Sequence, residues 1–187
     1  MKETKLICNK KFRIGKVDPR IFGSFIEHMG RVVYSGIYEP EHPLSDNMGF
    51  RTDVLKLVSE MGVTVVRYPG GNFVSNYDWR DAVGPLESRP TRLNLPWHST
   101  DTNRFGINEF IEWSKKADIQ PIFTVNLGTK GIENALSFLE YCNHPKNSFY
   151  SDLRRKHGIE EPYNIRTWCL GNEMDGDWQI GHKTADE

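Results

Sequence analysis

Short apolar runs alternate along the chain with segments whose apolar residues recur at helical spacing. Four runs, at residues 21–28, 63–71, 121–128 and 164–173, end in Gly, Pro or polar residues, as strands buried on both faces do. Between them, repeats of three or four positions predict three amphipathic helices. The apolar residues that define them are Val54, Leu57, Val58 and Met61; then Phe110, Ile111 and Trp113; then Ile132, Leu136, Leu139 and Tyr141.

This β, α, β, α, β, α, β order predicts parallel strands joined by right-handed helical crossovers. A doubly wound sheet and a (β/α)8 barrel both satisfy it. A barrel builds its site from the loops after many successive strands, whereas an open sheet concentrates its site at one switch point. Polar residues follow every predicted strand, which favours the barrel. They are Glu27 and His28, then Arg67 and Asn72, then Asn126, and finally Asn172 and Glu173.

The domain organisation follows from this pattern. Residues 18–187 are predicted to be the first half, about four βα units, of a (β/α)8 TIM barrel in the α/β class. Residues 4–15 resemble one or two strands, and we expect residues 1–17 to belong to an appended β-sandwich. Half a barrel exposes unpaired strand edges and part of its apolar interior. We therefore expect the chain to be a truncated piece of a longer polypeptide and to be poorly soluble alone.

Charge and the N-terminal sequence restrict the class of protein. Lys and Arg number 24 against 25 Asp and Glu, and no long run of one sign offers a surface for a phosphate backbone or an anionic bilayer. We therefore expect neither nucleic acid nor membrane as a partner. The first 15 residues lack the apolar stretch of a signal peptide, so a cytoplasmic location is expected.

Motif spacing argues against several kinds of chemistry. The three cysteines, Cys8, Cys142 and Cys169, are far apart and form no CxxC pair, so neither a disulfide framework nor a zinc site is indicated. No HExxH is present, and we assign no metal ligands. The absence of GxGxxG, GxxxxGK[ST] and GxSxG argues against nucleotide binding and serine hydrolase chemistry.

Glu173 is the strongest catalytic candidate. It stands in GNEMDG directly after an apolar run, near Trp168 and Trp178, where a carboxylic acid can protonate a glycosidic oxygen. The alternative is that Glu173 caps the next helix or solvates a loop. The preceding Asn172 favours the catalytic reading, because an amide there can hydrogen-bond a sugar hydroxyl next to the anomeric carbon.

Three further residues are candidates for sugar binding. Asn72 follows two glycines in YPGGNF, which allow the loop to aim its side chain into a barrel mouth. Glu27 can grip vicinal hydroxyls, or can form an ordinary salt bridge with Arg31 or Arg67. Trp97 lies in a long loop and suits stacking on a sugar face, although it can equally be a lid residue packed on its own loop. In a barrel, Glu27, Asn72, Asn172 and Glu173 should lie within roughly 10 Å of one another.

Several motifs, taken in order, resemble the α-L-arabinofuranosidases of glycoside hydrolase family 51 along almost the whole chain. They are FGSFIEHMGRVVYSGIYEP, VVRYPGGNFVSNYDWRDAVGP, NEFIEWSKKA, VNLGTKG and NIRTWCLGNEMDGDWQIGHKT. A lone GNE would indicate only a wider clan of retaining glycosidases. The ordered set, above all WCLGNEMDG followed by QIGHKT, narrows the resemblance to this family. The chain resembles the N-terminal part of its members.

The resemblance implies a (β/α)8 domain with a β-sandwich that takes in the N-terminal strand, and release of terminal arabinofuranosyl groups from arabinan and arabinoxylan oligosaccharides. It implies that Glu173 is the acid/base, that Asn172, Asn72 and Glu27 hold furanose hydroxyls, and that Trp97 forms an aromatic wall. It further implies no cofactor, an intracellular homo-oligomer, and a nucleophilic Glu after a seventh strand that this chain lacks. The alternatives are a related retaining endoglucanase or β-xylosidase, and a non-catalytic carbohydrate-binding fragment.

Overall fold

The computed structural model describes residues 2–187, and Met1 lies outside the described residues. Within that range the strands are β1 (Ser24–Phe25), β2 (Val65–Tyr68), β3 (Arg92–Asn94), β4 (Ser99–Asp101), β5 (Gln120–Val125) and β6 (Trp168–Leu170). The α-helices are α1 (Thr52–Glu60), α2 (Ile107–Ala117), α3 (Gly131–Asn143) and α4 (Phe149–Lys156). Short 3-10 turns lie in some of the connecting segments, including one at Asn72–Asn76.

The main sheet has four parallel strands in the order β1-β2-β5-β6. This order follows the chain without the reversal that defines a doubly wound sheet. The predicted α/β class and parallel pairing are therefore confirmed, and each of the four predicted strands is present in shortened form. The first is only two residues long, because a 3-10 turn at Pro19–Phe22 occupies the start of the predicted run.

Residues 4–15, for which one or two strands were predicted, form no strand within the described chain. The segment is extended and irregular, apart from a 3-10 turn at Lys10–Phe12, and its side chains are exposed. The apolar pattern of Leu6, Ile7 and Ile14 is real, but a strand needs a partner for its backbone donors and acceptors. No other strand of residues 2–187 pairs with this segment. Assignment of residues 1–17 to a β-sandwich stays a prediction.

The three predicted helices are present, but only α2 buries the predicted face throughout. In α1, Leu57 and the C-cap residue Met61 are exposed, whereas Val54 and Val58 are partly buried. In α2, Phe110, Ile111 and Trp113 are buried as the spacing predicted. In α3, Tyr141 is buried as the spacing predicted, but Ile132, Leu136 and Leu139 are exposed, and Phe138 and Cys142 join Tyr141 on the core side. A face that offers two aromatic rings to the sheet buries more apolar area than one of aliphatic side chains. The short, polar helix α4 was not predicted.

Stacked aromatic rings tie the sheet to its helices. The ring of Tyr68 on β2 stacks on Phe110 of α2 with centroids 4.4 Å apart, and Phe123 of β5 packs edge-on against both rings. All three side chains are fully buried. Each such ring stabilises the fold by about 1.5–3 kcal/mol through removal of apolar area from water. The packing fixes the carboxyl ends of β2 and β5, where the candidate site begins.

An antiparallel hairpin, β3 and β4, interrupts the long loop between β2 and α2. Its strands pair Arg92 with Asp101 and Asn94 with Ser99, and the turn between them carries Trp97. The sequence pattern had predicted only a long loop here. None of the helices within residues 2–187 has the length and apolar character needed to cross a lipid bilayer.

Candidate active site

The loop after β2 passes so close to Glu27 that it requires glycine. Gly70 has a φ of 154°, and a Cβ on it would lie 2.5 Å from Cγ of Glu27. A larger residue would therefore displace the Glu27 side chain or the loop. With glycine there, the chain turns sharply into the 3-10 turn that begins at Asn72 and brings this residue to the edge of the sheet.

Glu27 is 94% buried and is held as a hydrogen-bond acceptor rather than in a salt bridge. Its Oε1 accepts from the backbone nitrogen of Phe73 at 2.8 Å and from the indole nitrogen of Trp97 at 3.1 Å. The alternative partner Arg31 bonds instead to Ser35. Within residues 2–187, Oε2 of Glu27 receives no hydrogen bond, so it is available to accept one from a ligand hydroxyl.

Asn72 and Asn172 meet across the sheet although 100 residues separate them. Nδ2 of Asn172 donates to Oδ1 of Asn72 at 3.2 Å, and the guanidinium of Arg67 lies 3.3 Å from Oδ1 of Asn172. Gln179 donates a second hydrogen bond to Oδ1 of Asn72, at 2.7 Å. These contacts join the carboxyl ends of β2 and β6 in one polar cluster.

The two parts of the site lie beside each other. A Cβ built on Gly71 would lie 3.4 Å from both Oδ1 of Asn172 and Oε2 of Glu27. Glu27, Asn72 and Asn172 therefore surround the same turn. Asn126, which also follows a strand, does not join them. Its side chain donates to the carbonyl of Tyr77 and fastens a loop.

Glu173 follows Asn172 directly and is exposed to solvent. Its φ of 47° places it in the left-handed region, which is uncommon for a residue with a side chain. The indole nitrogen of Trp178 donates to its Oε2 at 3.0 Å. Trp168, the other tryptophan considered near it, packs on Phe138 inside the core. Trp178 is thus the tryptophan that contacts the candidate acid.

Sequence reasoning missed two parts of this site. Gln179 is 97% buried and orients Asn72, but its position in a polar C-terminal loop carries no periodic signal. The QIGHKT motif was the only pointer to it. The hairpin that carries Trp97 was missed because its polar strands lack apolar alternation. In residues 2–187, no three His, Cys, Asp or Glu side chains cluster as metal ligands would.

Comparison with known proteins supports one family. The family model described as the alpha-L-arabinofuranosidase 1 domain matches residues 57–181. Over all 187 residues the chain is 62% identical to the intracellular exo-alpha-(1->5)-L-arabinofuranosidase 1 of Bacillus subtilis, of which it covers 37%. Over 188 aligned positions it is 53% identical to an exo-alpha-(1->6)-L-arabinofuranosidase of Bifidobacterium longum, of which it covers 36%.

A solved structure agrees with the sequence relatives. The structure of a family 51 alpha-L-arabinofuranosidase from Bifidobacterium longum matches 90% of this chain and 33% of its own, at 58% identity and a TM-score of 0.88. The chain thus spans little more than a third of the length of the curated relatives that it matches. Because the family model covers residues 57–181, well over half of the chain, the chain belongs to the α-L-arabinofuranosidases of glycoside hydrolase family 51.

Proposed function

We propose that this chain is the N-terminal, acid/base-bearing part of a retaining exo-α-L-arabinofuranosidase. The single observation that carries the proposal is the convergence of Glu27, Asn72 and Asn172 at the carboxyl edge of a parallel sheet, with Glu173 next in the chain. Carboxylate and amide side chains at this edge suit recognition of a sugar's hydroxyls, and an exposed carboxyl group beside them suits proton transfer.

The fold supports a half-barrel. Four parallel strands in chain order, without a switch point, are what the first four βα units of a (β/α)8 barrel require. Apolar side chains on the two edge strands, Phe25 and Leu170, are 45% and 76% exposed. Further strands of a longer polypeptide would pair with these edges and cover those side chains.

Retaining hydrolysis needs two carboxyl groups. Glu173, as general acid, gives its proton to the leaving glycosidic oxygen while a carboxylate bonds to the anomeric carbon and the C–O bond breaks. Water then attacks this glycosyl ester, gives its proton back to Glu173 and releases the sugar. The nucleophile must lie about 5–5.5 Å from the acid. The resemblance gives Glu27 the role of binding hydroxyls and places the nucleophile after a seventh strand, so we assign the nucleophile to a residue outside this chain.

The sugar contacts divide between two groups. Oε2 of Glu27 accepts from hydroxyls, and Asn172 donates to or accepts from the hydroxyl next to the anomeric carbon. Asn72 and Asn172 exchange their mutual hydrogen bond for bonds to the sugar. Trp97 forms one wall of the site, with its indole nitrogen holding Glu27. The chemistry requires no cofactor.

The names of the relatives suggest the substrate. Two of them are named as exo-acting on (1->5) and (1->6) linkages, and one is named intracellular. We propose that the full-length protein removes terminal non-reducing α-L-arabinofuranosyl groups from arabinan and arabinoxylan oligosaccharides in the cytoplasm, as a homo-oligomer.

The role of Glu173 is tested with leaving groups of different quality. In the full-length enzyme, Glu173→Ala should lower kcat on arabino-oligosaccharides by about 10²–10⁴-fold, because their departing oxygen needs protonation. An activated aryl arabinofuranoside should lose much less. Asn172→Ala should lower turnover of both substrates, since its contact strengthens in the transition state. Equal losses on both substrates in Glu173→Ala would contradict the acid/base role.

The missing nucleophile is tested with the 187-residue chain itself. Purified alone, it should release no detectable product from an aryl α-L-arabinofuranoside and should be poorly soluble, because its sheet edges are uncovered. Adding the remaining polypeptide should restore activity. Turnover by the 187-residue chain would overturn this assignment, and its loss in Glu27→Gln would then make Glu27 the first candidate for the nucleophile.

A further inference from the structure

A buried His–Asp pair lies directly behind the proposed sugar site. His28 follows Glu27, and its Nδ1 lies 2.6 Å from Oδ2 of Asp101 at the end of β4. The side chains are only 1% and 4% exposed. Nε2 of His28 lies 2.9 Å from the hydroxyl of Tyr68. The imidazole also stacks on Phe73, with centroids 4.5 Å apart and planes inclined by 13°.

Asp101 has its full set of partners in this pocket. Its other oxygen, Oδ1, accepts from the Tyr34 hydroxyl at 2.8 Å and from the backbone nitrogen of Asn103 at 2.6 Å. Burial alone would raise the pKa of Asp101, but the contact with His28 and these hydrogen bonds outweigh it and lower the pKa. The carboxylate is therefore ionised at neutral pH, with two hydrogen bonds to Oδ1 and the imidazole of His28 within ion-pair distance of Oδ2.

The pair joins three parts of the proposed site. Asp101 ends one strand of the hairpin, and Asn94, on the other strand, donates to the backbone carbonyl of His28 at 2.9 Å. The hairpin turn carries Trp97, which donates to Glu27. Phe73, on which His28 stacks, donates its backbone N–H to the same carboxylate oxygen. The indole of Trp97 and the backbone N–H of Phe73 orient Glu27, and the segments that carry them both contact His28.

We propose that His28 and Asp101 are positioning residues that clamp the β3–β4 hairpin to the Glu27 segment, so that Trp97 and Glu27 form one preorganised wall for the sugar. The inference rests on the proposed function, because it assumes that Glu27 binds substrate. Neither residue touches the reacting atoms. Their effect reaches the sugar through the position of Glu27, and so should appear in substrate affinity before it appears in turnover.

Asp101→Asn is the first test, made in the full-length enzyme. An amide has one acceptor oxygen, so either His28 or the Tyr34 and Asn103 donors must then face an NH2 group. We expect KM for an aryl α-L-arabinofuranoside to rise about tenfold, the equivalent of one lost hydrogen bond to a charged group, with a smaller change in kcat. Asp46→Asn, which breaks a surface pair with Lys116, serves as control and should leave KM unchanged.

A matched pair of variants separates positioning from packing. His28→Asn and His28→Gln both lose the ring that stacks on Phe73. The asparagine keeps a donor near Asp101, whereas the longer glutamine carries its donor toward Tyr68. If the Asp101 contact matters, His28→Asn should keep most of the substrate affinity and His28→Gln should lose about tenfold. Equal KM values for the two variants would overturn the proposal. If Asp101→Asn fails to fold, the comparison of the two His28 variants is the deciding test.

Hydrogen exchange supplies a readout independent of activity. In Asp101→Asn, amides of residues 92–101 should exchange faster while those of β5 keep their protection, because the hairpin loses its attachment but the core does not. Uniformly faster exchange would mark the pair as an ordinary core contact and overturn the clamp. Glu27→Gln distinguishes the two proposals. Unchanged affinity there defeats the sugar-binding role, whereas reduced affinity there with normal affinity in Asp101→Asn defeats only the clamp.

Discussion

The indole nitrogen of Trp97 donates a hydrogen bond to Glu27 across 3.1 Å, although the two residues are 70 positions apart. Trp97 is thus a hydrogen-bond donor to Glu27 in addition to any stacking on a sugar. Its ring is half-buried, and its polar edge points at the most deeply buried carboxylate of the candidate site.

This relationship predicts different effects for two substitutions of Trp97. Trp97→Phe keeps an aromatic face but removes the donor, so Glu27 loses one of its two hydrogen bonds and KM should rise about three- to tenfold. Trp97→Ala removes the wall as well and should raise KM further. Steady-state kinetics on an aryl arabinofuranoside in the full-length enzyme measures both. If Trp97→Phe behaves as wild type, the hydrogen bond has no part in substrate binding.

Gln179 predicts a second effect on affinity. It donates to Asn72 at 2.7 Å and leaves the Asn72 side chain with one orientation. Gln179→Ala should release that side chain and raise KM about fivefold or more, the cost of one buried hydrogen bond. The exposed neighbour His182, changed to Ala, is the control and should have normal kinetics. Identical kinetics for the two variants would show that Asn72 needs no support from Gln179.

The fold was largely predictable because apolar periodicity records local burial. Strands β2 and β5 and helix α2 were found on that signal, since their side chains enter one continuous core. The signal failed where burial and periodicity separate. In α3, Leu136 continues an apolar repeat but is 59% exposed, while Phe138, two residues on and nearly opposite on the helix, is 97% buried. A single sequence does not show which of two apolar faces meets the sheet.

The site was predictable only in part. Positions after the predicted strands pointed to Glu27, Asn72 and Asn172 as neighbours, because parallel strands deliver their carboxyl ends to one edge. The bond between Asn72 and Gln179 joins residues 107 positions apart in irregular segments, where no periodic pattern exists. The pair of His28 with Asp101 was hidden for the same reason. Long-range polar contacts become visible only in three dimensions.

Asp78 predicts how stability depends on pH. Burial opposes its charge, but hydrogen bonds from the side chain and backbone of Arg80 lower its pKa to about 2 from an ordinary value of 3.8. A lowered pKa in the folded state stabilises the fold above the unfolded-state pKa, and this stabilisation is lost as the pH falls from about 4 to about 2. After allowance for solvent screening, we expect it to be about 1 kcal/mol.

Asp78→Asn measures that contribution directly. Urea unfolding of the full-length protein should show the variant about 1 kcal/mol less stable than wild type at pH 6, with a difference that shrinks toward pH 2. Arg80→Met provides a check on the arginine partner. Its stability difference from wild type should also shrink as the pH falls toward 2. A stability difference that stays constant across the acid range would mean that the charge of Asp78 is not the source of the effect.

Arg154 is fully buried, and among the described residues no carboxylate pairs with it. Its guanidinium donates instead to the backbone carbonyls of Tyr141, His144 and Pro145, at 2.7–2.8 Å. These carbonyls lie at and just beyond the end of α3, where a helix has no internal donors left and its dipole is negative. Arg154 therefore caps the C-terminal end of α3 by donating to its carbonyls, and its positive charge offsets the negative end of the helix dipole.

Arg154→Met should therefore lower the free energy of unfolding by about 3 kcal/mol or more, because several buried carbonyls lose their donors at once. Arg154→Lys keeps the charge but offers fewer donors in a different geometry, so it should recover only part of the loss. The control is the neighbouring Arg155→Met, which removes an exposed pair with Glu160 and should cost less than about 1 kcal/mol. Urea unfolding compares the variants, and KM should stay normal in all of them at temperatures where they are folded. Equal unfolding midpoints for Arg154→Met and Arg155→Met would show that the carbonyls find other partners.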